Sequence, residues 1–177
     1  MSSNAPCGTV LSPVITPFGD DLAPDAARFV EHCRWLMAND VGLAIFGTNS
    51  EANSLSVQER LDLLDHLVAA GLDTSRLMPG TGCCSIPDSV ALTRHAVNQG
   101  VGGVLMLPPF YYKGVSEEGL FRFYSEVIER VGDERLRLYL YHIPPVAQVP
   151  IGLGLIERLL KRYPEVVAGI KDSSGDW

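Results

Sequence analysis

The sequence predicts an α/β fold with a parallel sheet, and three observations support this prediction. Short apolar or β-branched runs alternate with longer segments of helical period along the whole chain. The composition, with 46% hydrophobic and 20% charged residues, is typical of a globular protein with a packed core. The length of 177 residues fits one domain, for which about 150 residues is usual. We therefore expect residues 1–177 to form a single domain without linkers or repeats.

The first half of the chain is predicted to contain three strand–helix units. The predicted strands are short runs of mostly apolar or β-branched residues. The helices are segments in which apolar residues recur every three to four positions. The second helix has the clearest start, because Ser56 and Glu59 have the spacing of a capping box. The strands are 10–15, 42–46 and 77–80, and the helices are 24–39, 56–70 and 87–99.

The second half of the chain continues the same alternation. Ser116 is a predicted N-cap for the fourth helix, and Glu117 and Glu118 follow in its first turn, where acidic side chains are favourable. The strands are 103–107, 136–141 and 166–170, and the helices are 116–131 and 151–163.

Two architectures are compatible with six parallel strands, an open doubly wound sheet and part of a closed (β/α)8 barrel. The length favours the open sheet, because a complete barrel usually has about 250 residues. The first strand, however, is followed by Thr16-Pro17-Phe18-Gly19 rather than by a glycine-rich phosphate turn. The sequence given also ends just after the sixth predicted strand, as a barrel would if it stopped after six of its eight units.

The charge and the cysteine content argue against several classes of function. The formal net charge is -7, with 14 basic and 21 acidic residues and no basic run, so we expect no nucleic-acid partner. No stretch approaches the roughly 20 apolar residues of a membrane helix, and the N-terminus lacks a secretory signal, so we expect a cytoplasmic protein without membrane contact. The four cysteines and four histidines have no metal-ligand spacing, and we expect no metal.

Polar residues follow several predicted strands at their carboxyl ends, where parallel α/β proteins place functional groups. The second strand ends in GTNSE, whose Thr48 and Asn49 could hold a carboxylate together with backbone amides. A polar turn that caps the next helix has the same composition. The fourth strand runs into PPFYYKG, in which Tyr111 and Tyr112 are either proton donors or packing aromatics.

Tyr141 and Lys171 are further candidates for chemistry. Tyr141 lies at the end of the fifth strand on the same face as Tyr139, and its phenol could relay protons. Lys171 comes directly after the sixth strand and is either a charged side chain reaching solvent or an amine in an apolar pocket. In a pocket, a neutral amine can attack a ketone and form a Schiff base.

The four strand-end motifs are more specific in combination than any one of them is alone. GTNSE, PPFYYKG, YHIPP and GIKDSSGD occur in this order at the ends of strands two, four, five and six. In this combination the chain, from Thr16-Pro17 to Lys171, resembles the dihydrodipicolinate synthase and N-acetylneuraminate lyase family of Schiff-base aldolases. The resemblance implies a (β/α)8 TIM barrel, of which only the first six β/α units are present. It also implies a class I lyase without a cofactor, active as a homo-oligomer, either a dimer or a tetramer.

The same resemblance implies a role for each motif residue. Lys171 corresponds to the family's lysine that binds pyruvate or a related 2-oxo acid as an imine. Tyr141 corresponds to the proton-relay tyrosine of the YN(V/I)P motif. Thr48 and Asn49 correspond to the paired hydroxyl residues of GTTGE, which bind the carboxylate of the 2-oxo acid. Tyr112, or alternatively Tyr111, corresponds to the tyrosine that reaches the neighbouring subunit.

Three departures from the family pattern bear on function. Asn49 replaces a relay hydroxyl, and Ser50 replaces a glycine that permits close backbone approach. Val146 stands where the synthases have the arginine that binds the carboxylate of the aldehyde substrate. We therefore expect an aldolase acting on pyruvate or a 2-keto-3-deoxy acid. The alternatives are 4-hydroxy-tetrahydrodipicolinate (dihydrodipicolinate) synthase and a non-catalytic barrel that binds a 2-oxo acid.

Overall fold

The structure is a computed structural model that describes residues 10–176. These residues divide into two compact units, one of residues up to 80 with 98–103, and one of residues 81–97 with those from 104 onwards. The strands described are β1 (Leu11–Pro13), β2 (Gly42–Ala44), β3 (Val104–Met106), β4 (Leu138–His142) and β5 (Val167–Asp172). The α-helices described are α1 (Ala26–Ala38), α2 (Val57–Ala69), α3 (Ile86–Asn98), α4 (Glu117–Val131), α5 (Pro144–Ala147) and α6 (Leu153–Arg162).

The first unit is built on the parallel pair β1 and β2, in which Leu11 lies opposite Gly42. Helices α1 and α2 pack against each other, and α1 also contacts β2. The ring of Phe29 on α1 stacks on Phe46 with 5.9 Å between the ring centroids. Phe29 and Leu43 are fully buried, so this unit has an apolar core of its own.

The second unit contains a parallel sheet in the order β3-β4-β5. The pairing of β4 with β5 is irregular, because Leu138 lies opposite Val167 whereas Tyr139 lies opposite Gly169. One residue of β5, Ala168, is therefore skipped in the ladder, as in a β-bulge. From the bulge onwards the register is regular, and it places Lys171 opposite Tyr141.

Both predicted helix starts are confirmed. The Ser56 hydroxyl accepts a hydrogen bond from the Glu59 amide (3.2 Å), and the Glu59 carboxylate accepts one from the Ser56 amide (2.7 Å). These bonds to Ser56 lower the pKa of the Glu59 carboxyl, since they favour its ionised form. At the start of α4, the Ser116 side chain accepts from the amide of Gly119, and the helix ends at Gly132 in the left-handed region, with φ of 62°.

Strands β1 to β4 are one to three residues shorter than predicted, and three further elements differ from the sequence prediction. Residues 77–80 are not a continuous strand: Leu77 forms an isolated bridge with Leu43, and the amides of Met78 and Gly80 donate to the carbonyls of Leu43 and Ile45 at 2.8 Å each. Pro79 has no N–H to donate to a ladder, which limits regular pairing there. The strand predicted at 166–170 extends to Asp172, so Lys171 lies within β5 rather than after it. The short helix α5 was not predicted, because Pro144 and Pro145 indicate a turn, although proline is also favoured in a first helical turn.

The described cysteines, Cys33, Cys83 and Cys84, carry free thiols. Burial raises the pKa of the Cys33 thiol to about 12, because the apolar core disfavours the thiolate. Cys7 lies outside the described residues. Among residues 10–176 the structure has no helix with the length and apolar character needed to span a membrane.

Candidate active site

Lys171 and Tyr141 are brought together by adjacent strands. They are register partners on β5 and β4, and the Lys171 Nζ lies 4.1 Å from the centroid of the Tyr141 ring. Tyr141 is 2% exposed, and Lys171 is half-buried. An ammonium over an aromatic face is attracted by the ring quadrupole, so the contact orients the amine. The side chain of Lys171 therefore lies along the sheet face instead of extending freely into solvent.

Gly169 leaves room on this face beside Tyr139. A Cβ at Gly169 would lie 3.0 Å from two carbon atoms of the Tyr139 ring, which is tighter than ordinary side-chain contacts. Tyr139 and Tyr141 lie two residues apart on β4, so they share a face with Gly169 and Lys171 on β5. Two phenol rings and one amine thus line the same stretch of the sheet.

His142 and Asp172 are the next register pair after Tyr141 and Lys171. The Asp172 carboxylate accepts a hydrogen bond of 2.7 Å from the Ser174 amide. Hydrogen bonds from the Ser174 side chain and amide lower the pKa of the Asp172 carboxyl, and the nearby His142 lowers it further. An ionised carboxylate therefore stands beside Lys171 in the chain, on the other face of β5.

Tyr111 and Tyr112 lie in the loop that follows β3. Their rings meet edge to face with centroids 5.1 Å apart, and the two residues are 71% and 74% exposed. The neighbouring Lys113 ammonium donates to the carbonyl of Phe110 and, at 2.8 Å, to that of Ala147. Both tyrosines are thus accessible, and no contact distinguishes Tyr112 from Tyr111 as the functional one.

Thr48 and Asn49 lie in a turn of the first unit. The amides of Ser50 and Glu51 donate to the carbonyls of Gly47 (3.2 Å) and Thr48 (3.1 Å), which closes the turn. The side chains of Thr48 and Asn49 are exposed. Their position in a turn after β2 is compatible with holding a ligand carboxylate, and it is equally the position of a polar loop.

Ser50 fixes this turn to the end of β1. Its hydroxyl donates to the carbonyl of Val14, and its own carbonyl accepts from the Thr16 hydroxyl at 2.8 Å. Ser50 is fully buried and Thr16 is 5% exposed. The residue that replaces the family's glycine therefore points into the core and anchors the turn. Sequence reasoning missed this role because the partners lie 34 and 36 residues away.

Replacing Ser50 by alanine is expected to lower the free energy of unfolding by about 1–3 kcal/mol, because a buried carbonyl loses its donor. The measurement is urea denaturation followed by circular dichroism. Ser54→Ala is the matched control, since Ser54 is exposed in the next turn. Equal unfolding midpoints for the wild type and Ser50→Ala would show that the hydrogen bond does not anchor the turn.

Ionisable side chains that could bind a metal do not cluster in the part of the chain that the structure describes. Within residues 10–176 there is no group of three or more His, Cys, Asp or Glu side chains placed to hold a metal ion.

The chain matches known proteins along almost its whole length. The model of the dihydrodipicolinate synthetase family matches residues 6–177. An uncharacterized DapA-like lyase of Chloroflexus aurantiacus is 36% identical over 170 residues, which are 95% of this chain and 56% of the relative. The crystal structure of dihydrodipicolinate synthase from Agrobacterium tumefaciens is 34% identical with a TM-score of 0.89, covering 96% of this chain and 60% of the other. The chloride-inhibited synthase of Acinetobacter baumannii, complexed with pyruvate, is 28% identical with a TM-score of 0.81, covering 94% and 56%.

These matches decide between the two architectures. The structural neighbours are (β/α)8 barrels, so the barrel prediction is confirmed and the open sheet is excluded. The chain spans about half the length of the curated relatives that it matches. The family predicted from the four strand-end motifs is confirmed as well.

Proposed function

The chain belongs to the dihydrodipicolinate synthetase family, and on this basis we propose that it carries the Schiff-base centre of a class I lyase. Lys171 forms an imine with pyruvate or a related 2-oxo acid, and the enzyme makes or breaks a carbon–carbon bond next to it. The observation that carries this proposal is the contact of Lys171 with Tyr141, with 4.1 Å between the amine and the ring centroid. An amine and a phenol on one sheet face are the two groups that imine chemistry needs.

The proposed reaction begins with attack of the neutral Lys171 amine on the ketone carbon. The resulting carbinolamine loses water and becomes a protonated imine, with Tyr141 moving the protons. In a 2-keto-3-deoxy acid the imine then accepts the electron pair of the C3–C4 bond as it breaks, while the C4 hydroxyl gives its proton to the Tyr141 phenolate left by the loss of water. This step releases an aldehyde and leaves an enamine. Protonation of the enamine and hydrolysis of the imine return pyruvate and free Lys171. The protonated imine is the electron sink, so the scheme requires no cofactor.

The carboxylate of the 2-oxo acid is assigned to Thr48 and Asn49 on the resemblance of their turn to GTTGE. We also propose that residues 1–177 belong to one barrel domain of a cytoplasmic homo-oligomer, a dimer or tetramer. Tyr112, with Tyr111 as the alternative, would then serve a neighbouring subunit. The high exposure of both tyrosines supports a contact between copies of the chain.

Incubation of the wild-type protein with pyruvate and borohydride tests the proposal. Reduction converts the imine into a stable secondary amine, so intact-mass spectrometry should detect one added pyruvate-derived group. Peptide mapping should locate it on Lys171. A protein that binds pyruvate reversibly but gains no mass would instead be the non-catalytic binding barrel.

Substrate choice is expected to depend on Val146. Val146 lies on α5 and is 60% exposed, so it offers no charge to an aldehyde carboxylate. Lys113 lies near this turn, but its ammonium donates to the carbonyls of Phe110 and Ala147, and Arg137 donates to those of Glu134 and Leu136 at the start of β4. We propose that the enzyme uses 2-keto-3-deoxy acids rather than condensing pyruvate with aspartate semialdehyde.

Val146→Arg is expected to raise kcat/KM for aspartate semialdehyde by about 100-fold, since a bidentate arginine–carboxylate contact contributes on the order of 2–3 kcal/mol. The wild-type value should stay below about 10⁴ M⁻¹s⁻¹, the low end of the usual range for enzymes. The assay compares condensation with cleavage of 2-keto-3-deoxygluconate in one preparation, with Val146→Leu as the control. Efficient condensation by the wild type would favour dihydrodipicolinate synthase.

A further inference from the structure

Residues 143–150, which form most of the connection between β4 and α6, are held in place at several points. This segment follows Tyr141 and His142 directly, and it carries Val146 on its single helical turn. Ala147 and Val149 are 4% and 2% exposed and anchor it to the core. Gln148 has φ of 53°, in the left-handed region that residues other than glycine rarely adopt. Such a backbone conformation persists where surrounding contacts impose it.

His142 supplies one of these contacts. Its Nδ1 accepts a hydrogen bond of 3.0 Å from the amide of Ile151. The bond joins the residue before the segment to the residue after it, so it closes the base of the loop. A ring nitrogen that accepts carries no hydrogen, which places the imidazole hydrogen on Nε2. His142 occupies the asparagine position of the YN(V/I)P motif, so this contact belongs to a departure from the pattern.

Lys113 supplies the second contact. Its ammonium donates to the carbonyl of Ala147 at 2.8 Å and also to that of Phe110. The Phe110 carbonyl lies in the loop that carries Tyr111 and Tyr112. Lys113 thus connects this loop to the helical turn of residues 143–150, next to Val146. Two of the three ammonium hydrogens are used in this way.

We propose that His142 and Lys113 are positioning residues that hold residues 143–150 in the conformation which selects the aldehyde partner of pyruvate. The proposal rests on the lyase reaction proposed above. The Lys113 contact is made to the segment that carries Val146, the His142 contact closes the base of that segment, and neither side chain contacts Lys171 through these bonds. The contacts should therefore influence the carbon–carbon bond step with the second substrate and leave imine formation with pyruvate unchanged.

Three variants test this proposal in the full chain. His142→Leu removes the acceptor, His142→Asn restores one in its side-chain amide, and Lys113→Met removes the ammonium. Lys161→Met is the control, because Lys161 is exposed on α6. The readouts are hydrogen exchange of the Ile151 and Gln148 amides, the rate of pyruvate trapping by borohydride, and kcat/KM for cleavage of 2-keto-3-deoxygluconate.

For His142→Leu we expect exchange at the Ile151 amide to rise and kcat/KM for cleavage to fall, each by about 10-fold, as for the loss of one hydrogen bond. Pyruvate trapping should stay within about twofold of wild type, a difference too small to indicate a lost contact. His142→Asn should restore cleavage, and Lys113→Met should weaken it and speed exchange at Gln148. Unchanged exchange in His142→Leu, or trapping that falls in parallel with cleavage, would overturn the proposal.

Two further results separate this proposal from the proposed function. Nitrogen NMR of the wild-type histidines at pH 8 should show an unprotonated Nδ1 for His142, and a hydrogen on Nδ1 would overturn the contact even if the variants fail to fold. A wild type that traps no pyruvate would overturn the lyase function and the selective role of the segment. Hydrogen exchange at the Ile151 and Gln148 amides would still show whether His142 and Lys113 hold residues 143–150 in place.

Discussion

Lys171→Arg and Lys171→Ala are both expected to abolish the borohydride-stable pyruvate adduct and the cleavage of 2-keto-3-deoxygluconate. Alanine has no amine, and a guanidinium stays protonated, so neither side chain can attack a ketone carbon. Arginine keeps the positive charge near the Tyr141 ring, which is 4.1 Å from the wild-type amine. The Lys171→Arg variant therefore separates imine formation from the electrostatic contribution of the side chain.

The sequence makes the mapping of this adduct unambiguous. It contains three lysines, Lys113, Lys161 and Lys171, each of which falls in a different tryptic peptide. Lys161→Arg is the matched control and should be trapped as fully as the wild type. An adduct on another lysine in the Lys171 variants, or turnover that persists in either, would refute the proposed Schiff base.

Tyr141→Phe is expected to reduce kcat/KM for cleavage of 2-keto-3-deoxygluconate by about 100-fold or more, the usual effect of removing a positioned acid or base. The substitution removes only the hydroxyl. Because the Lys171 amine lies over the ring, phenylalanine keeps that contact and fills the same buried volume. Loss of activity without loss of stability would therefore identify the hydroxyl as the proton relay.

Tyr139→Phe is the control for this experiment. Tyr139 shares the strand and the face of Tyr141 but lies opposite Gly169 instead of Lys171. Its hydroxyl is expected to contribute less than threefold to kcat/KM, a difference below about 1 kcal/mol. Equal kcat/KM for cleavage by Tyr141→Phe and the wild type would show that the Tyr141 hydroxyl relays no proton and that the side chain only packs in the sheet.

Local sequence patterns predicted the helices of this fold more accurately than its strands. The capping box of Ser56 and Glu59 lies within one turn, and α2 begins where it indicates. The run at 77–80 has a strand composition, yet it forms a bridge at Leu77 and amide bonds from Met78 and Gly80 to Leu43 and Ile45 instead of a continuous strand. The extent of a strand depends on its partners, which are distant in sequence, so composition alone does not determine it.

In the candidate site, too, the local features were predicted and the contacts between distant segments were not. Lys171 and Tyr141 were predicted because each lies near a strand end. The contacts of Ser50 with Val14 and of His142 with Ile151 were not predicted, since they join a side chain to a backbone group of another segment. In Ser50 and His142 the only signal was a departure from a known motif. Such departures identify where to look but not which group the new side chain binds.

Because of the bulge at Ala168, the position of the Lys171 amine depends on the number of residues that precede it in β5 and not on the side chains of those residues. A ladder that paired every residue from Leu138 and Val167 onwards would bring Lys171 opposite His142 and project it from the other face of the sheet. A one-residue insertion or deletion within β5 would therefore move the Lys171 amine off the sheet face that carries Tyr141. Ala168 thus sets the register that places Lys171 opposite Tyr141, although it has no part in the proposed reaction.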